Sequence, residues 1–357
     1  MVQVPPPTIV DGGGRLPTDT NGTTGIAEQI IQVLIRRPQP HRPSGRSTLQ
    51  GGGGDTHNVY SLGSNLTISR CVLTGRLGAF YNIQGGSTIS YPSILTIDQS
   101  TISGSRAGIF NDGSNTGTGL APGSNLKLTN STIINTNDYD YGVYFNGTAT
   151  ITNTTITGTA FGLASAPTQG NIARVSHTTF HQNRIDIYPV IGATYLKNSI
   201  LASLTPCDTA AFTITSLGKN LYGPNRSNSC GSLGMEDRIL PDIALFKLEA
   251  LGYDSGLAAF ITPTFRLLPG STAIDTGTCL DTLGAIVATD QRGVVRPQDG
   301  NGNGTFTATS VPTKPVRLRP PATPRPCLAC NSVPQQSSAL AQQPATYSTI
   351  SSHLNAT

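Results

Sequence analysis

LTIDQSTI, residues 95–102, returns as LKLTNSTI at 126–133 and ATITNTTI at 149–156, with looser copies LTISRCVL at 66–73, ARVSHTTF at 173–180 and TYLKNSIL at 194–201. The form is apolar, any, apolar, any, polar, any, any, apolar, recurring every 20 to 30 residues or so, which is the spacing of a solenoid. Its first two apolar residues lie two apart, the period of a strand with one face turned inward. The third lies past a bend. The polar place of the phrase is held by Arg70, Gln99, Asn130, Asn153, His177 and Asn198. Coils stacked at the strand spacing of about 4.8 Å would let Gln99, Asn130, Asn153 and Asn198 hydrogen-bond along the stack as an amide ladder. The simpler reading is that Asn is common in turns.

A second phrase follows each of four copies: Gly78-Ala79-Phe80-Tyr81, Gly108-Ile109-Phe110, Gly142-Val143-Tyr144-Phe145 and Gly162-Leu163-Ala164. Glycine suits a corner with close backbone approach, and the residues after it begin another strand. Strands joined by corners too short for a crossover helix predict parallel coils about an axis; a hairpin sandwich is the alternative. The variable connections, such as 111–124 and 135–141, are expected to project as loops that carry any binding chemistry.

Composition agrees with a β-rich solenoid. Only 12% of the 357 residues are charged and 36% are hydrophobic, with 40 Gly, 25 Pro and no Trp. Long amphipathic helices and a charged disordered chain both fit poorly. The formal charge of +4 is scattered, so no nucleic-acid partner is expected. No apolar run approaches the roughly 20 residues of a membrane-spanning helix, and Met1 to Val10 lacks the pattern of a secretory signal. The expected organisation is a flexible segment over 1–57, in which Ile26–Ile35 forms a short capping helix, β-helix repeats over 58–203, a closing region over 204–304 and a Pro, Ser, Thr and Gln-rich disordered tail over 305–357. Of the six cysteines, Cys207 and Cys230 flank a polar loop and are the best candidate pair, two free thiols being the alternative. Cys327 and Cys330 form a C-x-x-C without a second pair, a poor zinc site.

After the repeats come Asn198-Ser-Ile-Leu-Ala, Leu217-Gly-Lys-Asn-Leu-Tyr-Gly, Leu268-Pro-Gly-Ser-Thr-Ala-Ile-Asp275 and Thr289-Asp-Gln-Arg-Gly-Val-Val-Arg-Pro297, in that order. Over about Asn58 to Asn303 this resembles the choice-of-anchor Q family of bacterial surface proteins. The resemblance implies an all-β, right-handed parallel β-helix of the pectin-lyase type, extracellular or on the cell surface, with a C-terminal closing cap. It also implies that a cysteine pair brackets the segment matched by Leu217 to Gly223, which supports joining Cys207 to Cys230. Neither end follows the family pattern: the short cysteine-containing strand phrase expected after Asn303 is missing. A solenoid end needs covering, and Leu267, Leu268, Ala273 and Ile274 are suited to cover the last coil, with Asp275, Asp290, Arg292 and Arg296 pairing across the turns that follow.

Candidate chemistry is sparse. Asp299, Asn301 and Asn303 alternate, with Gly304 in the sixth place, as a calcium loop begins; but Ser310 stands where such a loop has Glu, and a glycine-rich turn explains the stretch without a metal. No other cofactor is indicated. A lyase or hydrolase would need clustered carboxylates, or calcium with a basic residue, on one face. Asp138 and Asp140, with Arg106, are the weak candidates; Asp98, Arg174, His177, His181 and Arg184 read as polar coil positions. Tyr139, Tyr141 and Tyr144 suit stacking on sugar rings. The expected function is therefore a non-enzymatic structural or adhesive surface protein that binds glycans or other polysaccharide. The alternatives are a polysaccharide lyase or glycoside hydrolase acting on an acidic polysaccharide, and a truncated gene product without activity.

Overall fold

The computed structural model describes residues 8–11, 47–50, 57–62, 66–74, 81–86, 94–104, 107–112, 124–134, 141–167, 170–188, 192–208, 214–224, 230–253, 262–300, 302 and 304. Three sheets, each parallel throughout, wrap one apolar lumen, which removes the hairpin sandwich. A complete coil has three strands rather than the two that the repeat suggested: Ile94–Asp98, Thr101–Ser103 and Ala107–Asn111 make one, and Gly147–Thr152, Thr155–Thr157 and Phe161–Ser165 another. The eight-residue phrase holds the first two of these, and the glycine phrase opens the third. First strands stack into a seven-stranded sheet, second strands into a ten-stranded sheet and third strands into a six-stranded sheet.

In-register pairing sets each apolar place of the phrase on its own kind. Leu95, Leu126, Ala149 and Ala173 form one column, and Ile97, Leu128, Ile151 and Val175 the next. Beyond the bend come Leu73, Ile102, Ile133, Ile156, Phe180 and Leu201, all fully buried. Each such side chain contributes roughly 1.5–3 kcal/mol by leaving water, so the columns are what fix the register.

The polar place has a different meaning from the one expected. Arg70, Gln99, Asn130, Asn153, His177 and Asn198 all have φ between 46° and 56°, the left-handed region. Each N–H donates to the carbonyl just before the same bend in the next coil, and the series continues through Lys219 and Glu236. Asn recurs there because it tolerates this conformation at little cost. The amide ladder is not continuous: one amide bonds another only where Asn153 Nδ2 donates to Asn130 Oδ1 at 3.2 Å. Gln99 instead accepts from Arg70 Nε, Asn130 donates to Asp98 Oδ1, and Asn198 bonds Thr278 and Leu280. The ladder lies one residue later. Ser100 and Ser131 hydroxyls accept from the backbone N–H of Cys71 and Ser100, while donating to the carbonyls of Asp98 and Thr129. Ser199, Asn220 and Asp237 carry the same run onward, accepting from the N–H groups of Thr178, Ser199 and Asn220. A small side chain with a donor and an acceptor satisfies two backbone groups that the bend releases.

The boundaries also move. Thr8–Asp11 and Ser47–Gln50 pair in the ten-stranded sheet ahead of Cys71–Thr74, so coiled chain precedes residue 58; Ile26–Ile35 lies outside the described residues. At the other end Ile214–Ser216, Leu221–Tyr222 and Arg238–Ile239 still stack, so the solenoid reaches beyond 203. These last strands lack the full apolar phrase, which is why the sequence pattern stops short. The tail after 304 lies outside the described residues.

Among the described residues the closing region does not sit over the last coil. It covers the outside of the ten-stranded sheet. Ile200, Ala202 and Leu221 point away from the lumen and form a second cluster with Leu240, Phe246, Leu267 and Ala273, with Ile274 partly buried against it; Leu268 is exposed. From there the chain runs back across earlier coils. Phe265 meets His181 edge-on at 4.8 Å, Asn198 Nδ2 reaches Thr278 Oγ1 and Leu280 O, and Gln291 Nε2 donates to Ser131 O and Thr132 Oγ1 while its Oε1 accepts from Thr155. Arg292 pairs with Asp290 at 2.8 Å, as the ion-pair reading required, whereas Arg296 donates to Asn153 Oδ1 and Thr289 O, and Asp275 accepts from Gly300 N. Cys207 and Cys230 form a disulfide within the lumen near its C-terminal end.

Candidate ligand-binding face

The outer face of the six-stranded sheet carries a run of aromatic rings. In Ala107–Asn111, Tyr141–Phe145 and Phe161–Ser165 the alternation buries Ile109, Val143 and Leu163 in the lumen and turns Phe110, Tyr144 and Ala164 outward, in register with one another. Tyr141 and Phe161, one residue before Gly142 and Gly162, form a second outward column. Phe110 stacks on Tyr144 with centroids 4.7 Å apart, Tyr144 meets Tyr141 at 5.0 Å, Tyr141 meets Phe161 at 5.4 Å and Phe161 meets Tyr188 at 4.2 Å. All five rings are half-buried. Ala164 is small and almost fully covered, and Tyr188, one coil on, meets Phe161. Each ring pair adds about 0.5–1.5 kcal/mol beyond area burial, so the run stiffens the coils while its rings stay partly exposed.

Glycine makes this face possible. A Cβ on Gly142 would stand 2.7 Å from Gly162 O and from Ile156 Cγ2, and one on Gly162 would stand 2.5 Å from Asp186 O and 2.8 Å from Phe180 Cδ1.

Tyr141 and Tyr144 therefore lie together as the sugar-stacking reading required, and the structure extends the group to Phe110, Phe161 and Tyr188. The missed rings had a readable signal: aligning the glycine phrases places Tyr141 over Phe161 and Phe110 over Tyr144. Tyr139, Asp138, Asp140 and Arg106 lie outside the described residues, as do Asn301 and Asn303. Asp299 accepts from Gly302 N and Gly304 N at 2.7 and 2.8 Å, the bonds of a glycine turn. Among the described residues no group of His, Cys, Asp and Glu side chains is arranged to hold a metal ion.

Asp98, His177 and His181 are occupied by structural bonds. Asp98 accepts from Thr129 Oγ1 and Asn130 Nδ2. His177 Nε2 faces Thr278 O at 2.7 Å, so this nitrogen carries the hydrogen; burial, with Arg296 beside it, holds the imidazole well below its ordinary pKa and keeps it neutral. His181 Nδ1 bonds Ala202 O, and burial lowers its pKa too.

Asp186 escaped the sequence reading, since a single Asp in a strand gives no pattern. It is fully buried, and its carboxylate accepts from Ser203 Oγ at 2.5 Å, Asn183 Nδ2 at 2.9 Å and Ser203 N at 3.1 Å. Burial pushes its pKa up to about 7, outweighing these bonds, which favour the charged form. A folded pKa above the unfolded one means that the folded state binds the proton more readily, so stability is gained as pH falls through 7 toward 4. Relative to Asp186→Asn, the wild type is expected to gain about 2–3 kcal/mol between pH 8 and pH 5 in urea titrations. A constant difference across that range would show that Asp186 does not titrate there.

No helix among the described residues is long and apolar enough to cross a membrane. Comparison with curated proteins and with solved structures gives no match. Residues 46–205, from the strand at Ser47 to just past the strand at Ile200, match the family model described as a right handed beta helix region, and with three parallel sheets around one lumen the fold is a right-handed parallel β-helix.

Proposed function

We propose that this chain is an extracellular or cell-surface protein of the choice-of-anchor type that binds polysaccharide without cleaving it, through the aromatic run on its six-stranded sheet. The observation that carries the reading is the contact chain Phe110–Tyr144–Tyr141–Phe161–Tyr188, a half-exposed stripe crossing successive coils. Pyranose rings present apolar C–H faces with polar rims, and partly exposed aromatic rings with phenol hydroxyls match both. The ordered phrases from Asn198 to Pro297 support the surface assignment.

The test is a binding assay of the full chain against neutral and acidic polysaccharides, with and without calcium, reading both bound protein and newly formed reducing or unsaturated ends. Tyr141→Ala combined with Tyr144→Ala is expected to weaken binding to a neutral polysaccharide about tenfold or more, a loss of roughly 1.4 kcal/mol or more. Product formation would replace the binding reading with a lyase or hydrolase. Unchanged affinity in the double variant would remove the stripe from the site.

A further inference from the structure

The three sheets meet solvent differently. The ten-stranded sheet is covered in part by the closing region and the six-stranded sheet carries the aromatic run, whereas the described outward residues of the seven-stranded sheet are rich in hydroxyls and partly or fully exposed. Burial alternates along its strands: Leu126 and Leu128, Ala149 and Ile151, Ala173 and Val175, and Thr194 and Leu196 are buried. The residues between them face out. Those include Asn125, Lys127 and Thr129 on Ser124–Thr129, then Thr148, Thr150 and Thr152, then Arg174, and finally Tyr195 and Lys197 on Gly192–Lys197.

Three of these outward residues are cations. Lys127, Thr150, Arg174 and Tyr195 stand in one column by strand register, with the Arg174 guanidinium 4.7 Å from the centre of the Tyr195 ring. Lys197 lies one strand and two residues beyond Arg174 in the next column, opposite Ser176. Among the described residues none of the three has a carboxylate partner, whereas Lys219, Arg266 and Arg292 each do. The carboxylate on this face, Asp98, lies one strand before Lys127 and is held by Thr129 and Asn130. From Ser124–Thr129 onward the described outward residues are neutral or positive.

We propose that this face is a second binding site, which takes an anionic polysaccharide bearing sulfate or carboxylate groups and lying along the solenoid axis. Two strand spacings separate Lys127 from Arg174, about 10 Å, close to the length of a disaccharide, so alternate sugars of an extended chain can set an anion on each cation. The Thr150 hydroxyl lies between them and suits a sugar hydroxyl; beside it the Thr148 hydroxyl donates to the Asn125 side-chain oxygen and the Thr152 hydroxyl pairs with that of Ser176, leaving the Asn125 N–H groups as donors for a sugar. The contact with the Tyr195 ring restricts the Arg174 side chain, and a guanidinium offers several N–H donors to a planar or tetrahedral anion. A row of separated cations, such as the strands from Ser124–Thr129 onward present, recognises a repeating polyanion better than a compact ion, because each contact is weak and the repeat adds them.

The experiment measures affinity of the full chain for a sulfated polysaccharide (heparin), a carboxylated one (polygalacturonate) and an uncharged dextran, across a range of sodium chloride concentrations. The expected result is salt-sensitive binding to at least one polyanion. Lys127→Gln, Arg174→Gln and Lys197→Gln together should weaken it at least tenfold and flatten its salt dependence, while Arg184→Gln, at an exposed corner off this face, leaves it unchanged. Circular dichroism and urea midpoints establish that the triple variant is folded, and the three single variants, each expected to lose part of the affinity, serve if it is not. Binding to heparin alone assigns sulfate; binding to both polymers assigns charge at that spacing. Equal binding by the folded triple variant, binding insensitive to salt, or no binding to either polyanion overturns the proposal. Polyanion affinity that falls in the Tyr141→Ala, Tyr144→Ala chain but not in the triple variant also overturns it, by moving the site to the aromatic face.

Discussion

Asp290→Ala is expected to cost about 3–5 kcal/mol and to loosen the closing region from the coils, because it leaves buried positive charge without its counter-charge. Asp290, Arg292 and Arg296 are all nearly inaccessible to solvent. The Asp290 carboxylate accepts from Arg292 Nε and Nη2 and from the backbone N–H groups of Arg292 and Val294. Burial lowers the Arg296 pKa to about 10, and Asp290 is the main charge opposing that shift. The Asp290 carboxylate thus counters charge on both guanidiniums, and alanine removes the ion pair together with two turn-closing bonds. The check is urea unfolding followed by circular dichroism, alongside limited proteolysis reading cleavage within residues 262–300. Asp281→Ala, in an exposed turn held by bonds to Leu283 N and Ala285 N, should change stability by only about 0.5 kcal/mol. A wild-type midpoint in Asp290→Ala would mean that the segment docks without needing the pair.

Cys207→Ser combined with Cys230→Ser is expected to cost about 3 kcal/mol, the loop-closure entropy of a link spanning 23 residues. The bond sits where the six-stranded sheet ends. Ile187 N donates to Pro206 O, Asp208 N to Ile187 O, and Cys207 bridges to Ile187, so the segment before Cys207 behaves as a further, incomplete strand. Both cysteines belong to the main lumen cluster, so serine also sets two hydroxyls among apolar neighbours. A reductant should bring the wild-type urea midpoint down toward that of the double variant and leave the variant's own midpoint unmoved. A wild type insensitive to reductant while unfolded would show that the link contributes nothing to stability.

How far the sequence could be read follows from which interactions are local. The phrase at 95–102 and its copies were legible because an apolar residue at every second place, and again past a fixed bend, is what a coil needs to fill its own lumen. Asn130, Asn153 and Asn198 were legible as a column but misread as a ladder: the type marks a backbone state, whereas Ser100, Ser131 and Ser199, which do form the ladder, look like ordinary turn serines. The strands at Ile214, Leu221 and Arg238 were hidden because Lys219 and Glu236 occupy the bend there and the apolar phrase is incomplete. Two of the five rings in the aromatic run, Tyr141 and Tyr144, were legible in the sequence. Phe110, Phe161 and Tyr188 belong to other coils, and only coil-to-coil register brings them into contact.

The sequence by itself determined that this chain coils and which faces of its strands turn inward, since periodicity and turn chemistry act within about 30 residues. Only the tertiary structure decided that the closing region lies along a sheet rather than over the end. That choice depends on Gln291 reaching Ser131 and Arg296 reaching Asn153, partners far away in the chain. It also decided that Asp186 is a buried carboxylate titrating near neutrality, and that the run from Phe110 to Tyr188 lies on a different sheet from Lys127, Arg174 and Lys197. Desolvation and side-chain neighbourhood arise only when distant coils stack, and no local pattern encodes them.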